Sequence, residues 1–328
     1  IITLKLLVIN KYIYILIIMK ILKLKNTYCS EINCGVDNTY PTPESSFKQP
    51  CLQMIVGQRT SGKSYLTSKV LAQAKKDKTF DVIYIITPSF NSNKAYFDKY
   101  IKEENVFEPT KTSISEVIER VNADRDEWET YLNNKRMMSK YKDDIKNKKL
   151  DHVDEDDLIY YYENGLLSGN YEFEKTKWKY EKEEPPKSLL ILDDCLGSQA
   201  ILQSSGLTKL ATLNRHVSPL AENHSNRSAC GLSVIILTQS YKMNNGISRV
   251  LRENVSLLTL FKNKQQKQLD AIKEELANVV DINFFDKAYE YATKEKYGNL
   301  TIDFNPKDLK YRFRKNLNEL IVFDELKE

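Results

Sequence analysis

The sequence predicts an α/β fold in which helices cover a mostly parallel sheet. Short, nearly continuous runs of apolar and β-branched residues alternate with stretches that favour helix, which is typical of strands buried on both faces. A glycine-containing loop joins the first run to the first helical stretch, as in the units that build parallel sheets. The expected strands are Leu52–Val56, Val82–Thr87, Leu189–Asp193, Ser233–Gln239 and Val255–Phe261.

The glycine-containing loop at residues 57–64 reads Gly-Gln-Arg-Thr-Ser-Gly-Lys-Ser, a complete GxxxxGK[ST] phosphate-binding loop. The helix-forming stretch Lys63–Lys75 follows it, so backbone N–H groups and a helix N-terminus would face the phosphates. We expect Lys63 to reach the β- and γ-phosphates and Ser64 to ligate Mg²⁺. The predicted nucleotide-binding residues are Gly57, Gln58, Arg59, Thr60, Ser61, Gly62, Lys63, Ser64 and Tyr65.

The composition is that of a globular protein with a core. Of the 328 residues, 41% are hydrophobic and 29% are charged, and the length allows one large domain or two smaller ones. A net charge of +4 is too mild to indicate nucleic-acid binding by itself. Five scattered cysteines and three histidines argue against structural zinc and a disulfide framework, and favour a reducing, intracellular setting.

The N-terminal stretch of residues 1–25 is rich in Ile and Leu and admits a membrane anchor as one interpretation. Polar residues interrupt it, so no uncharged run of about 18 residues exists. These are Lys5, Asn10, Lys11 and Lys20. The chain begins without methionine, and Met19 offers a start. We therefore expect residues 1–18 to be upstream read-through or an incomplete record, rather than an anchor or a signal peptide, and expect no stable membrane insertion.

We predict an N-terminal leader at 1–48, a core at 49–265 and a C-terminal extension at 266–328. A charged helical insert, 102–187, interrupts the core, and the insert ends at Pro185-Pro186. Helices are expected at Ser113–Val121 and Asp124–Lys146 in the insert and at Gln265–Val279 after the core, followed by an edge hairpin of Leu300–Phe304 with Tyr311–Phe313.

Two adjacent carboxylates, Asp193 and Asp194, end the third expected strand. A carboxylate at that position lies beside the phosphate loop, at the carboxyl edge of the sheet. We expect Asp193 to hold Mg²⁺, mostly through water, and Asp194 to polarise an attacking water. The alternative is that this pair caps the next helix.

Gln239 ends the fourth expected strand, where its amide could contact the γ-phosphate or the attacking water; an ordinary polar strand end is the alternative. Three arginines, Arg215, Arg227 and Arg252, lie in segments flanking that strand. Phosphoryl transfer gains from a cation delivered to the developing charge, often by a neighbouring subunit. We favour Arg215 for this role and place Arg227 second, while a surface arginine is the alternative for each.

Together these motifs resemble the DNA-packaging ATPases of large DNA viruses, virophages and related transposon-like elements, which belong to the FtsK–HerA branch of P-loop motors. The matching segments are Gly57–Ser64, Leu189–Asp194, Asn214-Arg215-His216, Ser233–Gln239 and Leu251-Arg252-Glu253-Asn254. The phosphate loop occurs in many P-loop families, whereas the order of the other four segments is more specific to this family. One departure concerns the distance between the Arg-His pair and the fourth strand. Many relatives have only a few residues there, whereas this chain has the segment Val217–Leu232. Arg227, rather than Arg215, could therefore be the arginine that contacts the phosphates of a neighbouring subunit.

The resemblance implies a RecA-like core, ATP with Mg²⁺, and a ring of five or six copies that moves double-stranded DNA into a capsid. It implies an arginine finger at Arg215 and a γ-phosphate sensor at Gln239, which with Lys63 and Asp194 would complete the catalytic set. Capsid or portal proteins would be further partners. The protein would act inside an infected cell, in the cytoplasm, nucleus or viral factory, or travel with the virion.

Two other readings stay open. A helicase or AAA+-type remodeller would share the loop and the acids, although no lid with a sensor arginine is evident after the fifth strand. A nucleotide-binding assembly switch would not need the second acid. A nucleotide kinase is disfavoured because no Arg-rich lid is evident. Basic residues that could line a DNA path, but equally suit an exposed helix face, are Lys242, Arg249, Lys262, Lys264 and Lys267.

Overall fold

The computed structural model describes residues 3–9, 12–18, 38–40, 42–43, 46–147, 153–167, 177–202, 204–225, 227–242 and 247–322. The chain divides into two compact units, residues 1–35 and 36–328. In the first unit, β1 (Thr3–Ile9) and β2 (Tyr12–Ile18) form an antiparallel hairpin. The suggested start at Met19 lies outside the described residues. None of the helices found within the described ranges combines the length and hydropathy needed to cross a membrane.

A mixed sheet forms the centre of the second unit. Its strands are β3 (Leu52–Val56), β4 (Val82–Ile86), β5 (Val106–Phe107), β6 (Ser188–Asp193), β9 (Leu232–Thr238), β10 (Leu257–Phe261), β11 (Asn299–Asp303), β12 (Phe313–Lys315) and β13 (Glu319–Leu320), while β7 (Pro219–His224) and β8 (Arg227–Ala229) form a separate hairpin. The order across the sheet is β13-β12-β11-β10-β3-β9-β6-β4-β5. Pairing is parallel from β10 to β5 and antiparallel from β10 to β13.

Helices cover both faces of the sheet. They are α1 (Lys63–Asp77), α2 (Phe90–Phe97), α3 (Ser113–Lys146), α4 (Glu155–Glu163), α5 (Gln199–Leu202), α6 (Ser205–Leu213), α7 (Arg249–Glu253), α8 (Gln266–Leu276) and α9 (Ile282–Ala292). Successive side chains of a strand point to opposite faces. Thus Ile55 packs in one layer with Leu66 and Leu71 of α1, whereas Met54 packs in the other layer with Phe285 of α9.

The predicted fold class is confirmed, and all five expected strands occur, with ends that differ by at most two residues. The expected hairpin after the core also occurs, as β11 and β12. Both segments of the insert that were expected to be helical are helical, but the expected break between them is wrong. Helix α3 is continuous because neither Gly nor Pro lies between Val121 and Asp124 to break it. Helix α9, strand β5 and the β7–β8 hairpin were not predicted.

Helix α3 is long, about 50 Å at 1.5 Å per residue. Its first turns contribute Ile114, Val117 and Val121 to the main core. Farther along, Met138 and Tyr141 pack in a separate small cluster with residues of the α4 region. Residues 102–187 thus contact the rest of the unit through β5, which pairs with β4, as well as through the first turns of α3. The division into leader, core, insert and extension stays a prediction.

The guanidinium of Arg227 is a buried structural clamp. It is 3% exposed, and it donates to the carbonyl oxygens of Pro185 at 2.9 Å, Pro186 at 3.0 Å and Cys230 at 2.6 Å. The Tyr40 ring lies 5.0 Å from it. Burial lowers the pKa of Arg227. This side chain therefore ties β8 to the segment before β6, and it is not exposed at the surface.

Arg227→Ala should lower the free energy of unfolding by about 3 kcal/mol, because three buried carbonyl oxygens lose their donor. Urea unfolding followed by circular dichroism measures this change. The matched control is Arg136→Ala, which removes an exposed ion pair with Glu222 and should cost no more than about 1 kcal/mol. If both variants lose the same free energy of unfolding, Arg227 does not act as a buried clamp.

Candidate nucleotide site

The carboxyl ends of four neighbouring parallel strands, β3, β9, β6 and β4, lie side by side. The register pairs that align them are Val56–Thr238, Leu237–Asp193 and Leu192–Ile86. The phosphate loop, Gln239, Asp194 and Thr87 follow these strands in that spatial order. Residues far apart in sequence are thus brought to one sheet edge, which is where ligands bind in open parallel sheets.

The phosphate loop is tightly folded around its glycines. The Gly57 N–H donates to the Thr238 carbonyl oxygen at 3.0 Å, and a Cβ on Gly57 would collide with Ser61 Oγ. Gly62 has a φ of +103°, a left-handed conformation that favours glycine. Ser61 Oγ is buried and has no hydrogen-bond partner within the described ranges. An unpaired hydroxyl in a glycine-built cradle fits a phosphate ligand.

Helix α1 begins directly at this loop, at Lys63. No side chain caps its N-terminus, and no acidic residue lies in its first turn. Its first N–H groups carry the positive end of the helix dipole, and nothing negative on its first turn opposes an anion there. The predicted strand–loop–helix geometry is thus present, and it is that of a P-loop nucleotide-binding fold.

Lys63 is buried and folded onto the loop itself. Its Nζ donates to the carbonyl oxygens of Gly57 at 2.7 Å and Gln58 at 3.3 Å. Burial lowers the pKa of Lys63, while the nearby carboxylates of Asp194 and Asp193 raise it. An ammonium group placed against the loop in this way is suited to bind the phosphates the loop would hold.

Asp193 is 4% exposed at the end of β6. Its Oδ2 accepts hydrogen bonds from Asn93 Nδ2 at 2.9 Å and from Thr87 Oγ1 at 3.4 Å. Burial raises the pKa of Asp193, and the Asn93 hydrogen bond opposes that rise. Sequence reasoning missed both donors. The polar residue ending the second expected strand was an available signal for Thr87, whereas Asn93 on α2 carries none.

Asp194 is exposed, unlike its neighbour. Its φ of +54° turns the chain sharply, and its amide donates to the Leu237 carbonyl oxygen at 3.3 Å. Gln239 Nε2 donates to both carboxylate oxygens of Asp194, at 3.2 and 3.0 Å. Asp194 makes no side-chain capping bond to the 3-10 turn that follows it. The two adjacent acids therefore have different surroundings, and the capping alternative is not what Asp194 does.

Ser64, at the start of α1, and Asp193, at the end of β6, carry the oxygen atoms that are expected to bind a magnesium ion. No group of three or more His, Cys, Asp or Glu side chains able to hold a metal occurs in the described part of the chain. Magnesium nonetheless fits, since beside phosphates it takes one or two protein ligands and fills its shell with phosphate oxygens and water. The buried carboxylate of Asp193 has the chemistry that such a ligand needs.

Arg215 lies at the opposite edge of the sheet, in the 3-10 turn Asn214–His216. A Cβ on Gly231, the residue before β9, would lie 3.5 Å from the Arg215 carbonyl oxygen. Arg215 also lines a cavity of about 250 Å³ with the first residues of β3 and β10, Leu52 and Leu257. Strand β9 separates this edge from the phosphate loop by roughly 20 Å. Arg215 is therefore not part of its own chain's loop site.

The segment Val217–Leu232, which departs from the pattern of the resembled family, forms the β7–β8 hairpin. The hairpin closes where the N–H groups of Cys230 and Gly231 donate to the carbonyl oxygens of Ser218 and Val217, each at 2.9 Å. In space, Arg215 therefore still lies just before β9, which the sequence spacing conceals.

The other two arginines are engaged inside the molecule. Arg252 forms a bidentate pair with Glu275, with Nη2 at 2.8 Å from Oε1, and its side chain is 7% exposed. Arg227 is the clamp described above. Arg215 is the most exposed of the three. The five basic residues named for a DNA path, Lys242, Arg249, Lys262, Lys264 and Lys267, are all exposed, and Arg249 pairs with Glu253.

No protein-family model and no curated protein matches the sequence. The structure is similar to that of the DNA-packaging ATPase B204 from Sulfolobus Turreted Icosahedral Virus, with 14% identity and a TM-score of 0.39 over 81% of this chain and 96% of that chain. The genome packaging NTPase B204 from Sulfolobus turreted icosahedral virus 2, in complex with ATP-gammaS, is similar with 13% identity and a TM-score of 0.39, over 81% of this chain and 97% of that chain.

The pCW3 conjugation coupling protein TcpA, in its monomer form with ATPgS, is also similar, with 15% identity and a TM-score of 0.36 over 67% of this chain and 51% of that chain. The structures that this chain resembles thus include packaging ATPases, the class that the motifs resemble. At these TM-scores the likenesses decide nothing about function, which depends on the residues of the site.

Asn93→Ala should shift the acidic limb of magnesium-dependent ATP binding to higher pH. Asp193 must lose its proton to act as a metal ligand, its pKa is already raised by burial, and the variant removes a hydrogen bond that opposes this rise. Binding is therefore lost as pH falls through the Asp193 pKa, and the loss begins sooner in the variant. Titrations across a pH series measure it.

The control is Asn91→Ala, an exposed position on the same helix. This account of the Asp193 environment is wrong if the pH at which ATP binding is lost does not change in Asn93→Ala. It is also wrong if that pH changes equally in Asn91→Ala.

Proposed function

We propose that this protein hydrolyses ATP and uses the energy to move double-stranded DNA into a viral capsid, acting as a ring of copies. The main support for ATP hydrolysis is that two adjacent acids beside the phosphate loop have different surroundings. Asp193 is buried and hydrogen-bonded, as a metal ligand would be, and Asp194 is exposed at the same edge, where water has access.

In the proposed mechanism, the loop amides and the α1 N-terminus bind the phosphates and Lys63 turns from its loop carbonyls to the β- and γ-phosphates. Ser64 and Asp193 would hold Mg²⁺, which would offset the negative charge of the phosphates. Asp194 orients the attacking water and accepts its proton. A second acid at this position favours hydrolysis over a passive nucleotide switch.

Gln239 is the proposed sensor of the γ-phosphate. Its amide now holds both carboxylate oxygens of Asp194. A phosphate oxygen or the attacking water near the same amide would compete for its two N–H donors. The state of Asp194 would then depend on whether the γ-phosphate is present, and β9 links that event to the rest of the sheet.

Arg215 is the proposed arginine finger, acting on a neighbouring copy. Its position at the far edge of the sheet keeps it away from the phosphate loop of its own chain, and its side chain is exposed at the surface, where a neighbouring copy would contact it. A ring in which the amino edge of one sheet faces the carboxyl edge of the next would deliver it to an active site. An isolated subunit would then lack a complete site.

Duplex DNA as the substrate, capsid or portal proteins as partners, and action inside infected cells follow from the family resemblance of the motifs. Two exposed lysines, Lys242 and Lys262, follow the carboxyl ends of β9 and β10. Basic groups near the hydrolytic edge would give the sequence-independent phosphate contacts that a translocase needs. A helicase is the second candidate, and duplex movement without strand separation would distinguish the two.

Linear double-stranded DNA should stimulate steady-state ATPase activity, and Asp194→Asn should lower turnover by about 10²- to 10⁴-fold while ATP binding persists, because the variant removes only the proton acceptor. Asp143→Asn, an exposed acid on α3, is the matched control and should behave as wild type. If DNA does not change the ATPase rate and Asp194→Asn does not lower it, the proposal of a DNA motor is wrong. The protein would then be better described as a nucleotide-binding switch.

Mixing Arg215→Ala with Asp194→Asn subunits should restore part of the activity that each variant lacks alone. Some sites in a mixed ring combine an intact Asp194 with an intact neighbouring Arg215. ATPase rates of the mixture are compared with those of each variant at the same total concentration. If the mixture only equals the average of its parts, Arg215 does not act between subunits.

A further inference from the structure

A cavity of about 820 Å³ runs along α1, beginning at the phosphate loop. Helix α1 contributes one wall, from Gly62 and Tyr65 toward its far end. The other walls come from residues near Phe47 and from the C-terminal strands β11 to β13, which are the parts of the chain that the sequence assigned to the leader and the extension. These segments therefore lie against the nucleotide site.

Tyr297 is a cavity residue that lies against the phosphate loop. A Cβ on Gly62 would lie 3.4 Å from the Tyr297 ring, so the ring borders the phosphate loop. The side chain is nevertheless 52% exposed. Its φ of +69° is left-handed, a rare and costly conformation for an aromatic residue, and such strain concentrates at functional positions. An exposed ring held at this cost beside the loop suits stacking on a ligand.

The inner wall supplies an aromatic and polar lining. The Arg314 guanidinium lies 4.4 Å from the centre of the Phe47 ring and 5.6 Å from that of Tyr311. Asn299 is 2% exposed; it donates through Nδ2 to Asn316 Oδ1 at 3.1 Å, and its own Oδ1 has no partner among the described residues. Aromatic surfaces combined with polar groups that fix orientation are typical of small-molecule sites, and an unpaired acceptor suits the amino and imino donors of nucleobases.

We propose that this cavity holds the nucleobase and ribose of the nucleotide whose phosphates occupy the loop, with Tyr297 stacking on the base. The inference rests on the proposed function and extends it: the C-terminal extension completes the ATP site. A nucleoside joined to phosphates at Gly62 would have this cavity directly beside it. Every base offers a π-face, so the stacking contact accepts any nucleoside triphosphate, and purines gain most from their larger faces.

The test compares ATP with inorganic tripolyphosphate, which carries the phosphates without a nucleoside. Isothermal titration with Mg²⁺ should show that Tyr297→Ala weakens ATP binding about 5- to 150-fold, the range for loss of one base–aromatic stack. Tripolyphosphate binding should change less than about twofold. Tyr297→Phe keeps the ring and should bind ATP as wild type does. Tyr162→Ala, 77% exposed on α4, is the matched control.

Tyr297→Gly guards against a folding artefact, because glycine tolerates the left-handed backbone at this position. It should show the same selective loss of ATP affinity. Unchanged ATP binding in both variants, or equal loss of ATP and tripolyphosphate in Tyr297→Gly, would overturn the cavity assignment while leaving the phosphate site intact. Failure of the wild-type protein to bind either ligand would instead reject the proposed function.

Discussion

The parallel register of β3, β9, β6 and β4 is the constraint on which the candidate site depends. It aligns four strand ends so that the phosphate loop, Gln239 and the two acids meet at one edge. Side chains alternate between faces along a strand, so a slip of one residue in β6 would move Asp193 to the other face of the sheet. The left-handed turn at Asp194 then exposes the second acid while the first stays buried.

The opposite edge of the sheet is organised by the β7–β8 hairpin. The hairpin is bound to α3: Arg125 Nη1 donates to the Pro219 carbonyl oxygen at 2.8 Å, and the Trp128 ring lies 5.8 Å from the His224 ring. On its other side, Arg227 clamps it to the segment before β6. An insertion between Arg215 and β9 therefore leaves Arg215 beside the strand end, because the added residues fold back on themselves.

Several parts of the site could be predicted because their signal is local. The loop motif needs only its own eight residues and a strand before it, and the pair Asp193-Asp194 is adjacent in sequence. Asn93 and Tyr297 could not be predicted, because neither residue belongs to a motif. Asn93 matters only through a hydrogen bond to a carboxylate far along the chain, and Tyr297 only because β11 and β12 extend the sheet next to the loop.

The sequence by itself determined the α/β class, five of the six strands described in the parallel part of the sheet, and the phosphate loop, since periodicity and short motifs record local backbone preferences. Only the tertiary structure brought Thr87 and Asn93 to Asp193 and decided which arginine is exposed. It separated Arg215 from Arg227 and Arg252 because burial depends on contacts between distant segments. It also built the cavity beside α1, whose walls come from both ends of the second unit and have no common signature in the sequence.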